Sequence, residues 1–192
     1  YLSRLHPLTR RYEISGLARN RSKFHELLET LRNGQIRVLV VGSNSDGNIP
    51  AVDQEAEMVV ETISEETERL GLNCGVKLLK SDHADFETVC EELKNGGYHI
   101  FHYAGHGRHN DKLPEIGGLI LKDGATPTKT TCSLNAATLS LLLEQGHSPL
   151  QLIFLSCCLG ARTSTQTSYG EFHGTLEALA RAGVPTDRKS VV

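Results

Sequence analysis

An α/β fold with a mostly parallel central sheet and helices on both faces is what this sequence predicts, and three observations carry the prediction. Short apolar runs rich in β-branched and aromatic residues, at 36–41, 98–107 and 150–155, alternate with longer stretches of helical periodicity. The runs are apolar throughout rather than at every second position, as in strands covered on both faces. Apolar content of 39% and charged content of 22% suit a folded chain, and 192 residues fit one domain.

Each element follows in order. Residues 1–33 open polar and basic, then place Phe24, Leu27, Leu28 and Leu31 at helical spacing before Asn33-Gly34 ends the turn. This is a helical lead-in or linker, expected to be the tail of a preceding helical domain. Residues 36–41 are a buried strand, and GSNSDG (42–47) is the strand-to-helix loop after it. Residues 51–71 form a long helix with Ala56, Val59, Val60, Ile63 and Leu70 on its inner face. A second strand at 75–81 leads to a second helix at 82–97, capped by Ser81 or Asp82 and closed by Asn95-Gly96. The third strand spans 98–107, and 117–124 is a short strand or hairpin arm. A helix capped by Ser133 covers 133–147, a buried strand 149–161, and a final helix ends at Gly183. The chain divides into the lead-in at 1–33, one α/β domain at 34–186 and a tail at 187–192.

Composition excludes several functions. A formal charge of −3 offers no basic excess for nucleic acid or anionic membrane. The longest apolar runs are far too short to span a bilayer, and no charged-then-apolar leader opens the chain, although its start at Tyr1 leaves room for an upstream segment. Five cysteines, two of them adjacent, fit reduced thiols in a cytoplasmic setting better than a disulfide framework.

In parallel sheets, ligands collect beyond the carboxyl ends of the strands. Three strands here run into loops of small or reactive residues: Gly42-Ser43-Asn44, Gly105-His106-Gly107 and Ser156-Cys157-Cys158. A thiolate attacking a carbonyl needs a nearby imidazole for proton transfer and backbone N–H donors for the oxyanion. His106 meets the first need, and the glycine after it offers the Gly107 N–H for the second. If the strands leading to His106 and to the cysteine pair are neighbours, their ends lie about 5 Å apart, close enough to straddle one carbonyl. His99 and His102 fall inside the strand and are expected to be core residues. Cys74, Cys90 and Cys132 lack partners and are expected to be structural. Metal binding is disfavoured: Cys157-Cys158 lacks the spacer of zinc knuckles, and His102 and His106 sit on strand and loop rather than one helix face. GSNSDG matches no nucleotide-binding pattern, so no cofactor is expected.

At these residues, HIFHYAGHG (99–107) and LQLIFLSCCLGA (150–161), the chain resembles the CHAT domain. That caspase-like module is often fused to TPR repeats and is grouped with caspases, separases and gingipains among cysteine peptidases. The resemblance spans roughly residues 36–186. It implies a caspase-like three-layer sandwich and peptide-bond hydrolysis by a Cys-His dyad. His106, followed by glycine, matches the catalytic histidine. Cys158, followed by Leu159 and Gly160, fits the nucleophile better than Cys157. The oxyanion donors implied are the backbone N–H groups of Gly107 and Cys158. Asp46 or Asp53 are candidate acids for a substrate pocket. Expected partners are a protein or peptide substrate and an upstream TPR or other helical regulatory domain or activator, with no nucleic acid and no membrane. In the family, a strongly apolar strand follows the final helix. This chain instead reads DRKSVV, so the last strand is expected to be absent or incomplete. A catalytically silent interaction module on the same scaffold is the alternative.

Overall fold

The structure, a computed structural model, describes residues 29, 34–108, 118–124, 131–145, 149–157 and 186–188. The expected lead-in helix lies outside them apart from Glu29, which is helical, as does the expected final helix. Strands β1 (Ile36–Ser43), β2 (Cys74–Leu79), β3 (Ile100–Gly105), β7 (Leu152–Cys157) and β8 (Thr186–Arg188) form one sheet in the order β2-β1-β3-β7-β8. Every pairing in it is parallel. Helices α1 (Val52–Arg69), α2 (Phe86–Asn95) and α3 (Ala136–Gln145) occupy the crossovers. A second sheet, β4 (Gly107–Arg108), β5 (Gly118–Lys122) and β6 (Thr131–Asn135), is antiparallel. The stretch expected to be a hairpin arm is thus the central strand of this small sheet.

Strand alternation divides the core between two faces. Ile36, Val38 and Val40 pack with Ala56, Val59, Val60 and Ile63 of α1. Leu39, Val41, Phe101, Tyr103 and Ile153 pack on the other side with Val89 and Leu93 of α2 and Leu139 and Leu143 of α3. This is the sandwich the alternation of strands and helices predicts. Burying each large side chain of this kind stabilises the fold by roughly 1.5–3 kcal/mol. Among the described residues, no helix is long and apolar enough to cross a membrane.

Three details depart from expectation. Leu70 is 58% exposed, because α1 ends at Arg69 and Leu70 is its C-cap, carried off the apolar stripe. Helix α2 is capped by Asp85, whose carboxylate accepts the Thr88 N–H at 2.8 Å and the Thr88 hydroxyl at 2.8 Å. Ser81 and Asp82 instead lie in a turn in which His83 and Ala84 both donate to the Lys80 carbonyl. Ser133 sits in β6, and Asn135 caps α3 by accepting the Thr138 N–H at 2.8 Å. At the starts of α2 and α3 a competing polar residue a few positions along supplied the better-aligned acceptor.

The strand that the tail left in doubt is present over three residues. Thr186, Asp187 and Arg188 of β8 pair with Ile153, Phe154 and Leu155. Among the described residues β8 is the edge strand of the sheet, where charged residues are tolerated.

A candidate active site at the carboxyl edge of the sheet

Register decides which loops meet. Ser43 is paired with Gly105, and Gly105 with Cys157, so β1, β3 and β7 end level with one another. His106 is the next residue after Gly105. Cys158 is the next after Cys157 and lies outside the described residues, as does Gly160.

The backbone at His106 is held tightly. Its carbonyl accepts the Ile120 N–H at 2.9 Å and lies 2.8 Å from the Tyr103 hydroxyl. The same hydroxyl is 2.8 Å from the Ile120 carbonyl, which also accepts the Ser43 hydroxyl at 3.0 Å. Tyr103 has one proton for two carbonyls, and it bridges the main sheet to the small one at the base of the histidine. Burial, with the nearby Cys157 as a lesser cause, raises the Tyr103 phenol well above its ordinary value, so it stays a neutral donor. Gly105 is required here for a reason internal to the fold. A methyl group on it would sit 2.6 Å from the Tyr103 oxygen and 2.8 Å from the Ser43 carbonyl oxygen.

The His106 ring is 27% exposed, with Nε2 3.0 Å from Oδ1 of Asp46. The pair falls short of hydrogen-bond geometry, so Nε2 has no hydrogen-bond partner in the resting structure. Asp46 is placed by its own loop: its two carboxylate oxygens accept the Asn48 N–H at 3.1 Å and the Asn48 side-chain amide at 3.0 Å. Gly47 supports the turn at φ +80°. Burial pushes the Asp46 carboxyl up, but the Asn48 donors and the facing His106 outweigh it and hold it below its ordinary range.

The other candidates take different places. Asp53 is committed to Ser81, accepting its N–H at 2.9 Å and its hydroxyl at 2.7 Å, which ties α1 to the end of β2. His102 is buried in β3, stacked on Phe154 with ring centroids 5.8 Å apart. Its Nε2 has no hydrogen-bond partner, and burial lowers its proton affinity, offset in part by Glu55. His99, expected in the core, is half-buried, and its Nδ1 accepts the Arg37 N–H at 3.0 Å. Cys157 packs against the apolar cluster on the α2 and α3 face. Burial raises the thiol of Cys90 to about 11 and those of Cys74 and Cys132 by less. Among the described residues no cluster of His, Cys, Asp or Glu could hold a metal ion.

Sequence reasoning missed two parts of this site. The Tyr103 clamp had no signal beyond a tyrosine in an apolar strand. The Ser156 hydroxyl donates to Glu55 at 2.7 Å, linking β7 to the first turn of α1 across 101 positions of sequence. No local pattern announces such a pair.

Comparison with known proteins adds the following. The protein-family model described as the CHAT domain matches residues 2–187. No curated protein matches the chain. Among solved structures, the crystal structure of protein GSU0716 from Geobacter sulfurreducens aligns with a TM-score of 0.42 at 20% identity. That alignment covers 65% of this chain and 50% of the other, so the matched part spans half the length of that relative.

Proposed function

The chain belongs to the CHAT domain family, and from that membership we propose that it is a cysteine-type endopeptidase using Cys158 and His106. The observation that carries the proposal is the register Gly105 opposite Cys157 on adjacent parallel strands, which supports a reading of the next residues along, 106 and 158, as partners at one sheet edge. Cys157 points into the apolar cluster. Strand alternation therefore favours Cys158, one position on, as the thiol for an open groove.

The chemistry proceeds in balanced steps. His106 takes the Cys158 proton, and the thiolate attacks the peptide carbonyl carbon to form a C–S bond and an oxyanion. The Gly107 and Cys158 N–H groups stabilise that oxyanion. For Gly107 a ladder detail supports the role. Ile120 N–H donates to the His106 carbonyl, so Gly107 and Leu119 form the pair without mutual hydrogen bonds, and the Gly107 N–H faces away from β5. His106 then protonates the leaving amine as the C–N bond breaks, a contribution of about 10²–10⁴-fold. Water, giving a proton to His106, attacks the acyl-enzyme, and the C–S bond breaks as His106 passes that proton to the sulfur, releasing the acid and restoring the thiol.

The test is hydrolysis of a mixed peptide library read by mass spectrometry. Cys158→Ala and His106→Ala abolish cleavage, while Cys157→Ala keeps it and lowers stability by about 1 kcal/mol. Cleavage that survives Cys158→Ala overturns the proposal.

A further inference from the structure

We propose that Asp46 is a positioning residue for His106, holding the neutral imidazole with its proton on Nε2 and so leaving Nδ1 to exchange protons with the Cys158 thiol. This deepens the peptidase reading and rests on it for the role of Cys158. The contact between Asp46 and His106 stands on its own. Three observations carry the inference. Oδ1 of Asp46 is 3.0 Å from Nε2 of His106, so a modest turn of the ring completes a charge-assisted hydrogen bond to that nitrogen. Contacts of this kind are often loose before substrate arrives.

The second observation is that the carboxylate is delivered by a built loop rather than by a flexible side chain at large. Asn48 gives it two hydrogen bonds. Asn44 fixes the loop on both sides, its Oδ1 accepting the Ile49 N–H at 2.9 Å and its N–H donating to the Ser81 hydroxyl at 2.9 Å. The third is that the backbone beneath the ring is clamped by Tyr103 and Ile120, which leaves ring rotation as the histidine's chief freedom. An anchored backbone needs one group to fix the ring, and Asp46 meets one of its nitrogens. The placement also argues against Asp46 as a pocket acid for substrate cations, because the carboxylate already faces a group of its own chain.

The experiment uses the full chain labelled with ¹⁵N-histidine, with the His106 ring signals assigned by comparison with His106→Gln. Wild type shows His106 in the Nε2–H tautomer when neutral. Asp46→Asn shifts its ring nitrogens toward a tautomer mixture, and Asp46→Glu moves them back. The same variants are assayed on peptides carrying a basic or a neutral residue before the scissile bond. For Asp46→Asn, kcat falls about ten- to a hundredfold on both kinds of peptide with KM little changed, a part of the proton-transfer contribution. Ring signals unchanged in Asp46→Asn overturn the inference, whatever the assay gives. So does a rise in KM confined to basic peptides, which makes Asp46 a substrate acid. If wild type cleaves nothing, the peptidase reading fails and the ring signals still decide the contact. If Asp46→Asn does not fold, Asn48→Ala removes the side-chain amide that holds Oδ2 of the carboxylate and frees it to swing on the remaining backbone N–H. A shift of the His106 ring in that variant supports the inference, and no shift overturns it.

Discussion

Gly105 and His106 show how a single position can serve the fold and the site together. The glycine before the histidine invites a reading as clearance for substrate, yet the atoms nearest to it are the Tyr103 oxygen and the Ser43 carbonyl oxygen of this chain. Close approach of these groups lets one hydroxyl reach the carbonyl that sits under the imidazole. Gly105→Ala is therefore expected to destabilise the protein by about 1–3 kcal/mol through overpacking. Its urea midpoint falls while the dependence on denaturant concentration stays unchanged. An alanine variant as stable as wild type contradicts the clash. The position of His106 was legible because glycine on each side of a histidine at a strand end is unusual. The Asp46 contact was not legible as such. Its loop advertises Asx residues and a glycine, but only the fold brings residue 46 within 3.0 Å of residue 106.

Among the elements, helix boundaries were the least readable feature, for a reason common to the starts of α2 and α3. Ser81, Asp82, Asp85, Ser133 and Asn135 are all able to cap a helix, and sequence alone does not say which has a rival claim on its side chain. The Ser81 hydroxyl is taken by Asp53, and Ser133 is drawn into a strand paired with Ile120. Asp85 and Asn135 remain, and they cap. Asp85→Ala is expected to cost about 1 kcal/mol, read by thermal or urea unfolding, because it removes the acceptor of the Thr88 N–H. Ser81→Ala leaves the start of α2 intact and weakens instead the tie between α1 and β2. A larger loss of helix in Ser81→Ala than in Asp85→Ala contradicts this assignment. Strands, by contrast, were plain, since continuous apolar runs between glycine-rich loops admit few other readings. The small antiparallel sheet was only half visible. Its middle strand is apolar, but β4 spans two residues and β6 reads Thr-Cys-Ser-Leu-Asn, which advertises a turn as readily as a strand.

For the molecule as a whole, the parallel sheet aligns three strand ends on one edge and leaves a buried histidine beneath them. His102, 8% exposed and stacked on Phe154, has its proton affinity lowered first by burial and is only partly helped by Glu55. The unfolded chain therefore binds this proton more readily than the folded one. Stability from this group is full above the ordinary value of 6.5 and is lost as pH falls below it, through the folded value. The loss is at most about 1.4 kcal/mol per pH unit. His102→Phe is expected to flatten this part of the stability–pH profile without lowering stability near pH 8, measured by urea unfolding across the range. A variant that keeps the same slope contradicts the assignment. The central claim is that residues 106 and 158 form one reactive pair at that aligned edge. It is tested most directly by treating the protein with a peptidyl electrophile and mapping the modified cysteines by mass spectrometry. Cys74, Cys90 and Cys132 have thiols raised above their ordinary value and react slowly as thiolates. The account predicts selective modification of Cys158, slowed at least about tenfold in His106→Ala. Equal modification of every cysteine, or modification of Cys158 at the same rate without His106, would contradict it and leave the scaffold as a binding module.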